Sequence, residues 1–402
     1  MYINIKYYIT IVFILMLINF FGATSIPNVI LLGLLIPFAI IEFKHRSIFK
    51  WYIVATFIGL LLSMISCYYF RKQSIPETFK ASAYIMYLMF YFALKNFKLS
   101  LSSMEKILHA VIILFCLSYI VQFIVFPTVI FKGVEVKLDS TSVDLRFRLY
   151  AQGLSSLGIF FGINKFISTK NWKYLITAIL CFIVILLMAF RTFLILIVVF
   201  SIFTIIRIKG KKIKSTLIAL VSISILFITL TQIPVINEKL TFMMDRNKDQ
   251  NFSNPQYIRI LSFNYYTQRH FKNGIEYFFG SGMPAEKSRY GLYIQSLVDK
   301  GFYYQDLGLI GLSWIIGIPA VLVMIAYSIK AFRIKVNKNN YYLGIWFVYL
   351  VLASLTSMEF FRNGMFVIHA YVFVMLEKAQ HQLEYSEKNV EVTQLNVESL
   401  SG

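Results

Sequence analysis

Charged residues are scarce in this sequence of 402 residues, because Asp, Glu, Lys and Arg together make up only 14%. Hydrophobic residues make up 58%, and a soluble domain could not hide that much apolar surface from water. The apolar residues lie in runs near the ~20 residues that cross a bilayer as a helix. The shortage of charge therefore excludes a soluble globular protein. It predicts an all-α polytopic integral membrane protein.

Acidic residues are the scarcer charged class, since 19 Asp and Glu stand against 39 Lys and Arg and leave a formal net charge of +20. Such an excess can indicate a nucleic-acid partner. Here the basic residues fall between apolar segments rather than along one face, as loop charges in membrane proteins do. We therefore expect the lipid bilayer as a partner and no nucleic acid.

Cysteine is rare, with three residues in the chain. Cys67, Cys116 and Cys181 each lie inside an apolar run and show no Cys-x-x-Cys or Cys/His spacing. The pattern predicts small buried hydrophobic side chains rather than disulfides or zinc ligands. We expect neither a metal nor a cofactor.

The apolar runs predict about twelve transmembrane helices and one long extracytoplasmic loop that carries short helices. The predicted spans are 7–23, 26–41, 51–70, 81–94, 107–130, 149–166, 174–190, 192–208, 215–231, 306–332, 341–357 and 361–376. They divide the chain into an N-terminal helix bundle (1–231), the loop (232–305), C-terminal spans (306–376) and a polar tail (377–402). The second run follows the first almost at once, which favours a retained first helix over a cleaved signal peptide.

Lys and Arg in short loops mark the cytoplasmic side of a membrane protein. The positive groups are Lys44/Arg46/Lys50, Lys95/Lys98/Lys106, Lys165/Lys170/Lys173, Arg207/Lys209/Lys211/Lys212/Lys214 and Lys330/Arg333/Lys335/Lys338. All share one side if each span crosses once. Both termini are then cytoplasmic and the loop 232–305 faces outward. The tail after Leu376 is predicted to be polar and disordered.

Basic residues on the outward side suggest an anionic ligand, because guanidinium groups pair with phosphate oxygens through two contacts. The alternative is anchoring to lipid headgroups. Outside the long loop these residues are Arg71, Lys72, Lys80, Arg146, Arg148, Arg191 and Arg362. Arg191 stands at the tip between two short apolar runs without an acidic neighbour in sequence. This position favours a role that faces a ligand.

Within the long loop, Asn254-Pro255 is typical of a helix start and Gly274 of a helix end. On such a helix Arg259, Phe263, Tyr266 and His270 share a narrow stripe, since eleven residues is close to three turns. A cation, two rings and an imidazole suit a sugar phosphate. An interfacial amphipathic helix would show the same pattern.

Two further stretches frame the end of the loop. The glycines of the stretch 278–284, Phe-Phe-Gly-Ser-Gly-Met-Pro, permit a tight turn or a close backbone approach. The stretch 306–311, Asp-Leu-Gly-Leu-Ile-Gly, leads into the next span. Asp306 is then either a helix cap or a carboxylate base at the membrane edge.

The order of these motifs resembles the Wzy-type polymerase and O-antigen ligase family: Arg191-Thr192 at the tip of a helical pair, an Arg-bearing loop helix, the FGSG turn and the DLGLIG entry. The resemblance covers roughly residues 174–322. It implies a bacterial inner-membrane, metal-independent glycosyltransferase that joins undecaprenyl-pyrophosphate-linked oligosaccharide repeat units into O-antigen or capsule. It also implies a chain-length regulator and a flippase as partners.

The chemistry of such a transfer requires cations for the departing pyrophosphate and a base for the attacking hydroxyl. On the resemblance, Arg191 and Arg259 are the predicted pyrophosphate clamp, with Arg148 and Arg289 as further candidates. Asp306 ranks ahead of His270 as the catalytic base.

Three alternatives remain from the sequence. A ligase of this family typically carries a His-Asn pair before the helix that follows the loop, whereas residues 292–299 contain no histidine. A flippase or other transporter would usually carry ionisable residues within its spans, and these runs are almost free of them. A membrane-bound acyltransferase would need a His with a nearby acid on the outer side.

Overall fold

The computed structural model describes residues 5–18, 28–131, 134–137, 146–188, 190–209, 232–234, 237–238, 241 and 257–401. This part of the chain is predominantly helical, as predicted. One antiparallel pair of short strands adds to the helices, β1 (Val134–Lys137) with β2 (Arg146–Leu149). The strands pair Val134 with Leu149 and Lys137 with Arg146.

Up to residue 209, the described residues form nine α-helices. They are α1 (Ile5–Ile18), α2 (Asn28–Phe43), α3 (Lys50–Arg71), α4 (Ile75–Ser82), α5 (Phe90–Asn96), α6 (Leu101–Val125), α7 (Gly153–Thr169), α8 (Trp172–Met188) and α9 (Arg191–Lys209). A 3-10 helix (Ala83–Met89) joins α4 to α5, so the predicted fourth span is built from three consecutive pieces. The break between α8 and α9 confirms that Arg191 begins a new helix. The predicted span 215–231 lies outside the described residues.

The remaining helices belong to the loop and to the last spans. They are α10 (Ile258–Tyr265), a π-helical turn (Tyr266–His270), α11 (Gly274–Phe279), α12 (Arg289–Asp299), a 3-10 turn (Tyr304–Leu307), α13 (Gly308–Ile316), α14 (Ile318–Arg333), α15 (Tyr341–Ala353) and α16 (Met365–Ser401). Two short 3-10 turns, Lys338–Asn340 and Glu359–Phe361, precede α15 and α16.

Three described helices, α3, α6 and α9, are long and apolar enough to cross a bilayer, and α1, α2 and α8 are shorter apolar helices. The chain thus has the helical, apolar character of a membrane protein. The count of twelve spans stays a prediction. Cys67, Cys116 and Cys181 are all buried, as predicted.

Side-chain contacts show which polar segments lie at each end of the helix bundle. At the end we call the lysine end, Lys95 Nζ lies 3.2 Å from a Glu377 carboxylate oxygen, and Lys165 pairs with Glu105. At the opposite end, the loop end, Arg71 pairs with Glu276 of the long loop. The positive groups around Lys95 and Lys165 therefore lie away from the long loop, as the sequence predicts.

The predicted tenth span is two helices that meet at Gly317, whose φ is +89°. In a continuous helix the Ile315 carbonyl would accept from the N–H of residue 319, but this residue is Pro319 and has none. The carbonyl instead accepts from Gly282 N at 2.8 Å and from Ser63 Oγ at 2.7 Å. The loop and α3 together satisfy a backbone group that the helix cannot.

The loop approaches this break backbone to backbone. The Trp314 carbonyl accepts from Ser281 N at 2.8 Å and from Ser281 Oγ at 3.0 Å. A Cβ on Gly280 would lie 2.5 Å from Gly317 N, and one on Gly317 would lie 2.5 Å from the Phe279 carbonyl oxygen. Gly280 thus permits a close backbone approach. The backbone that it approaches is the protein's own, at the break between α13 and α14.

The tail is helical, which corrects the expectation that it is disordered. α16 runs without a break to Ser401. Glu377, the first residue of the predicted tail, is buried and accepts from Ile48 N at 2.7 Å, from Phe49 N at 3.3 Å and from the Tyr91 hydroxyl. Because a buried carboxylate requires such partners, Glu377 ties α16 to the segments before α3 and in α5.

Candidate functional site

Residues 257–307, the last part of the long loop and the turn that follows it, fold as a helical cap on the loop end. The predicted helix start at Asn254-Pro255 lies outside the described residues. The prediction that Gly274 ends a helix is wrong, because Gly274 is the first residue of α11. Asn273, directly before it, caps α11 by accepting from Glu276 N at 3.0 Å.

The cap is fixed to α3 by an ion pair that sequence reasoning missed. Arg71, the last residue of α3, contacts Glu276 through Nε and the His270 carbonyl through a terminal nitrogen. The second carboxylate oxygen of Glu276 accepts from Lys272 N at 2.8 Å. The side chains of Arg71 and Glu276 are 9% and 0% exposed. Neither residue's position in sequence indicates this pairing, since about two hundred positions separate them.

Gln73 forms a second attachment two residues further on. Its amide nitrogen donates to the Met283 carbonyl at 2.8 Å and to Thr78 Oγ1 at 2.7 Å. Its amide oxygen accepts from Ala285 N at 3.0 Å and from Ser288 Oγ at 2.6 Å. One buried glutamine thus uses both ends of its amide to hold the segment between α11 and α12.

His270 lies beneath the cap in a buried polar cluster. The Ser281 hydroxyl donates its one proton to the Trp314 carbonyl at 3.0 Å, so its oxygen accepts from the Tyr290 hydroxyl at 2.6 Å and from His270 Nε2 at 3.2 Å. This arrangement assigns the proton of His270 to Nε2. Ser281 is not activated as a nucleophile, because its neighbouring imidazole donates to it instead of accepting.

The environment of His270 disfavours it as the catalytic base. Burial, and secondly the positive charge of Arg71, lowers the pKa of His270 to about 3. The side chain is 2% exposed, and its Nδ1 has no hydrogen-bond partner in the described part of the chain. A buried imidazole of such low basicity is poorly placed to take a proton from a substrate. His270 thus fits a positioning role in the cap.

The rings of the predicted stripe lie side by side but face the protein: Phe263 lies 6.0 Å from Trp314 and Tyr266 lies 5.0 Å from His270 between centroids. Phe263 is 41% exposed whereas Tyr266 is fully buried, with its ring stacked on Trp314 at 5.2 Å between centroids. Tyr266 therefore cannot pack against a sugar in this conformation.

The four candidate arginines of the pyrophosphate clamp lie on separate elements. Arg259 is half-buried on α10 and Arg289 is exposed at the start of α12. Arg191 is half-buried at the start of α9. The backbone of Arg148 lies in β2, and its side chain is outside the described set. The structure thus gives each arginine an element, and the clamp itself stays a prediction.

Asp306 lies in the 3-10 turn that precedes α13 and is half-buried. The interpretation of Asp306 as a helix cap is wrong, because the capping residue of α13 is Leu307 and no side chain caps it. The turn is held by Leu309 N, which donates to the Ser354 carbonyl at 2.7 Å. α10, which carries Arg259, packs directly on this turn. The tertiary structure therefore brings the elements of a candidate cation and a candidate base together.

A second buried carboxylate lies at the same end of the bundle. Glu359 accepts from Arg362 Nε at 2.8 Å and from the amide nitrogen of Gln152. Nearby, Phe360 N donates to Ser354 Oγ at 2.8 Å, so the cluster shares Ser354 with the turn after Asp306. Sequence reasoning singled out Arg362 but not its partner Glu359, three residues away, nor Gln152 before α7, which also donates to that carboxylate.

A scan against protein-family models found no matching family, and a search of curated proteins found no match to this chain. Function is therefore inferred from the residues themselves.

Replacing Arg71 with Ala should lower the unfolding free energy by about 3 kcal/mol, because Glu276 would stay buried without its cation. The measurement is the thermal unfolding midpoint of the detergent-solubilised protein. Lys72→Ala is the matched control, since Lys72 is the exposed neighbouring cation. Arg71→Met combined with Glu276→Leu should cost less than Arg71→Ala alone. Equal shifts for Arg71→Ala and Lys72→Ala would show that the ion pair does not hold the cap.

Acid should destabilise the protein through His270. Its pKa is near 3 in the folded chain and about 6.5 when unfolded, so below pH 6.5 the unfolded chain binds the additional proton. Stability from this group is complete above pH 6.5 and falls as pH decreases toward 3, by at most about 2 kcal/mol at pH 5.

The measurement is the change in unfolding midpoint between pH 7.5 and pH 5. This change should be smaller in His270→Gln than in the wild type. His381→Gln is the control, because the His381 side chain is 73% exposed on α16. A change of the same size in all three proteins would contradict the assignment to His270.

Proposed function

We propose that the chain is a glycosyltransferase that polymerises undecaprenyl-pyrophosphate-linked oligosaccharide repeat units into a surface polysaccharide, O-antigen or capsule. The observation that carries the proposal is the packing of α10, with Arg259, on the turn that holds Asp306. Arg259 and Asp306 then lie on two elements that contact each other, at the end of a membrane helix bundle. The Asp306 carboxylate caps no helix, so it is not committed to that role. This pair matches the two requirements of glycosyl transfer from a pyrophosphate.

In the proposed reaction, an acceptor sugar hydroxyl attacks the anomeric carbon of the donor glycan. The bond from that carbon to the pyrophosphate oxygen breaks as the new glycosidic bond forms. Asp306 takes the hydroxyl proton, and Arg259 together with Arg191 stabilises the charge on the departing pyrophosphate. Arg148 and Arg289 are further candidates for this stabilisation. Cations fixed by helices need little reorganisation as that charge develops, which is why they are effective.

The proposal places the lysine end in the cytoplasm and the loop end outside the bacterial inner membrane, with both termini cytoplasmic. The support is the gathering of the positive short loops at one end, which is the side that the distribution of Lys and Arg assigns to the cytoplasm. The donor and acceptor are then both presented at the outer leaflet. A flippase that delivers them and a chain-length regulator are the expected partners.

Deleting the gene should leave single repeat units on their lipid carrier at the outer face of the membrane, because export would continue while polymerisation stops. The measurement is a gel profile of the lipid-linked glycan together with its accessibility to a glycan-modifying reagent from outside. Units trapped on the cytoplasmic leaflet would indicate a flippase instead. Long polymer left on its carrier would indicate a ligase.

Asp306→Asn should reduce the rate of polymerisation by roughly 10²- to 10⁴-fold at wild-type protein levels, because it removes the proposed base. Arg259→Ala should reduce it by roughly 10²-fold or more. The measurement is polymer formation from purified lipid-linked repeat units.

The matched controls are Asp299→Asn and Arg269→Ala, which change exposed residues of the same cap. Both should retain nearly full activity. Full activity of Asp306→Asn would remove Asp306 as the base. Normal polymer from Arg259→Ala would remove Arg259 from the clamp.

A further inference from the structure

We propose that Tyr265, Tyr293 and Phe302 form a docking platform for the ring face of a pyranose sugar in the glycan substrate. The three rings belong to α10, to α12 and to the segment after α12, and all are half-buried at the surface of the cap. The inference rests on the proposed function for the identity of the glycan. It assigns the platform to residues outside the predicted site.

Tyr265 connects the other two residues of the platform. The rings of Tyr265 and Phe302 are stacked, with centroids 5.3 Å apart and planes 23° from parallel. The hydroxyls of Tyr265 and Tyr293 are hydrogen-bonded at 2.8 Å. The surface therefore combines flat apolar faces with a pair of groups that can donate and accept. Sugars present the same combination, a C–H face edged by hydroxyls, so the two surfaces are complementary.

The platform is held rigidly from behind. Phe302 N donates to the Leu297 carbonyl at 2.9 Å, and the Tyr266 hydroxyl donates to the Phe302 carbonyl at 3.3 Å. The ring of Tyr293 lies nearly parallel to the buried His270, at 15° and 6.1 Å between centroids. Rings fixed in this way lose little entropy when a ligand binds, which favours a binding role.

The surroundings of the platform differ from those of a surface that rests in the bilayer. The exposed residues around it are polar and apolar together: Asn264, Gln268, Arg269, Asp299 and Lys300 beside Ile258, Phe263 and Leu292. By contrast, α11 exposes Ile275, Tyr277 and Phe278 and packs against α3, where Tyr68 and Tyr69 are also exposed. The cap thus has two aromatic surfaces. The one on α11 continues the apolar face of a membrane helix, whereas the platform has several charged and amide side chains among its exposed neighbours.

The test is binding of a lipid-free saccharide to the full chain in nanodiscs, followed by saturation-transfer NMR. The probe is the oligosaccharide released by mild acid from the source organism's own surface polysaccharide. Tyr265→Leu and Phe302→Leu keep apolar bulk but remove a flat ring, and each should weaken binding by about 3- to 10-fold. Tyr277→Leu, on α11, is the matched control and should bind as the wild type does.

A bilayer role is tested by replacing one ring at a time with Trp and measuring quenching by brominated lipids. Tyr277→Trp should be quenched, and Phe302→Trp should not. Quenching of Phe302→Trp would overturn the proposal, as would unchanged saccharide binding in both platform variants or no binding by the wild type. Phe302→Trp also shows whether the cap stays folded, because it keeps an aromatic ring and should retain binding.

The failure of this inference is separable from failure of the proposed function. Unchanged binding in the platform variants, with repeat units accumulating in the deletion strain, would overturn the platform alone. Weakened binding in those variants, with full-length polymer still made in the deletion strain, would support the platform and overturn the polymerase proposal.

Discussion

The architecture of the loop end depends on a backbone hydrogen-bonding deficit in the predicted tenth span. Gly317 interrupts the helix, and Pro319 cannot donate to the carbonyl of Ile315. Inside or near a bilayer an unsatisfied carbonyl is costly, so another part of the chain must supply the donor. Gly282 of the loop and Ser63 of α3 do so. The break in one helix thereby becomes the attachment point of the cap.

The polar side chains of the cap differ in how deeply they are buried. Charges that fix it to the bundle are buried and paired, as Arg71 is with Glu276. The groups proposed to act on substrate lie nearer the surface, where Arg259 and Asp306 are half-buried and Arg289 is exposed. A buried ion pair specifies one arrangement of the cap at a considerable desolvation cost, whereas a group that reacts must keep access to its substrate. Burial thus separates the positioning residue His270 from the candidate base Asp306.

The aromatic residues of the loop follow the same division. Tyr266 and Trp314 stack in the interior and support the cap, whereas Tyr265, Tyr293 and Phe302 meet at its surface. Tyr265 and Tyr266 are neighbours in sequence, and successive residues of a helix lie about 100° apart, so one ring reaches the surface while the other lies inside.

The sequence by itself determined the membrane character, the approximate bounds of most helices and the position of the positive groups around Lys95 and Lys165 away from the long loop. Each of these depends on local composition, so a linear pattern carries it. Tertiary structure alone decided that Arg71 pairs with Glu276, that Glu377 is buried and that α10 meets the turn of Asp306. These outcomes arise from desolvation and from partners distant in the chain, and neither leaves a local signal in sequence.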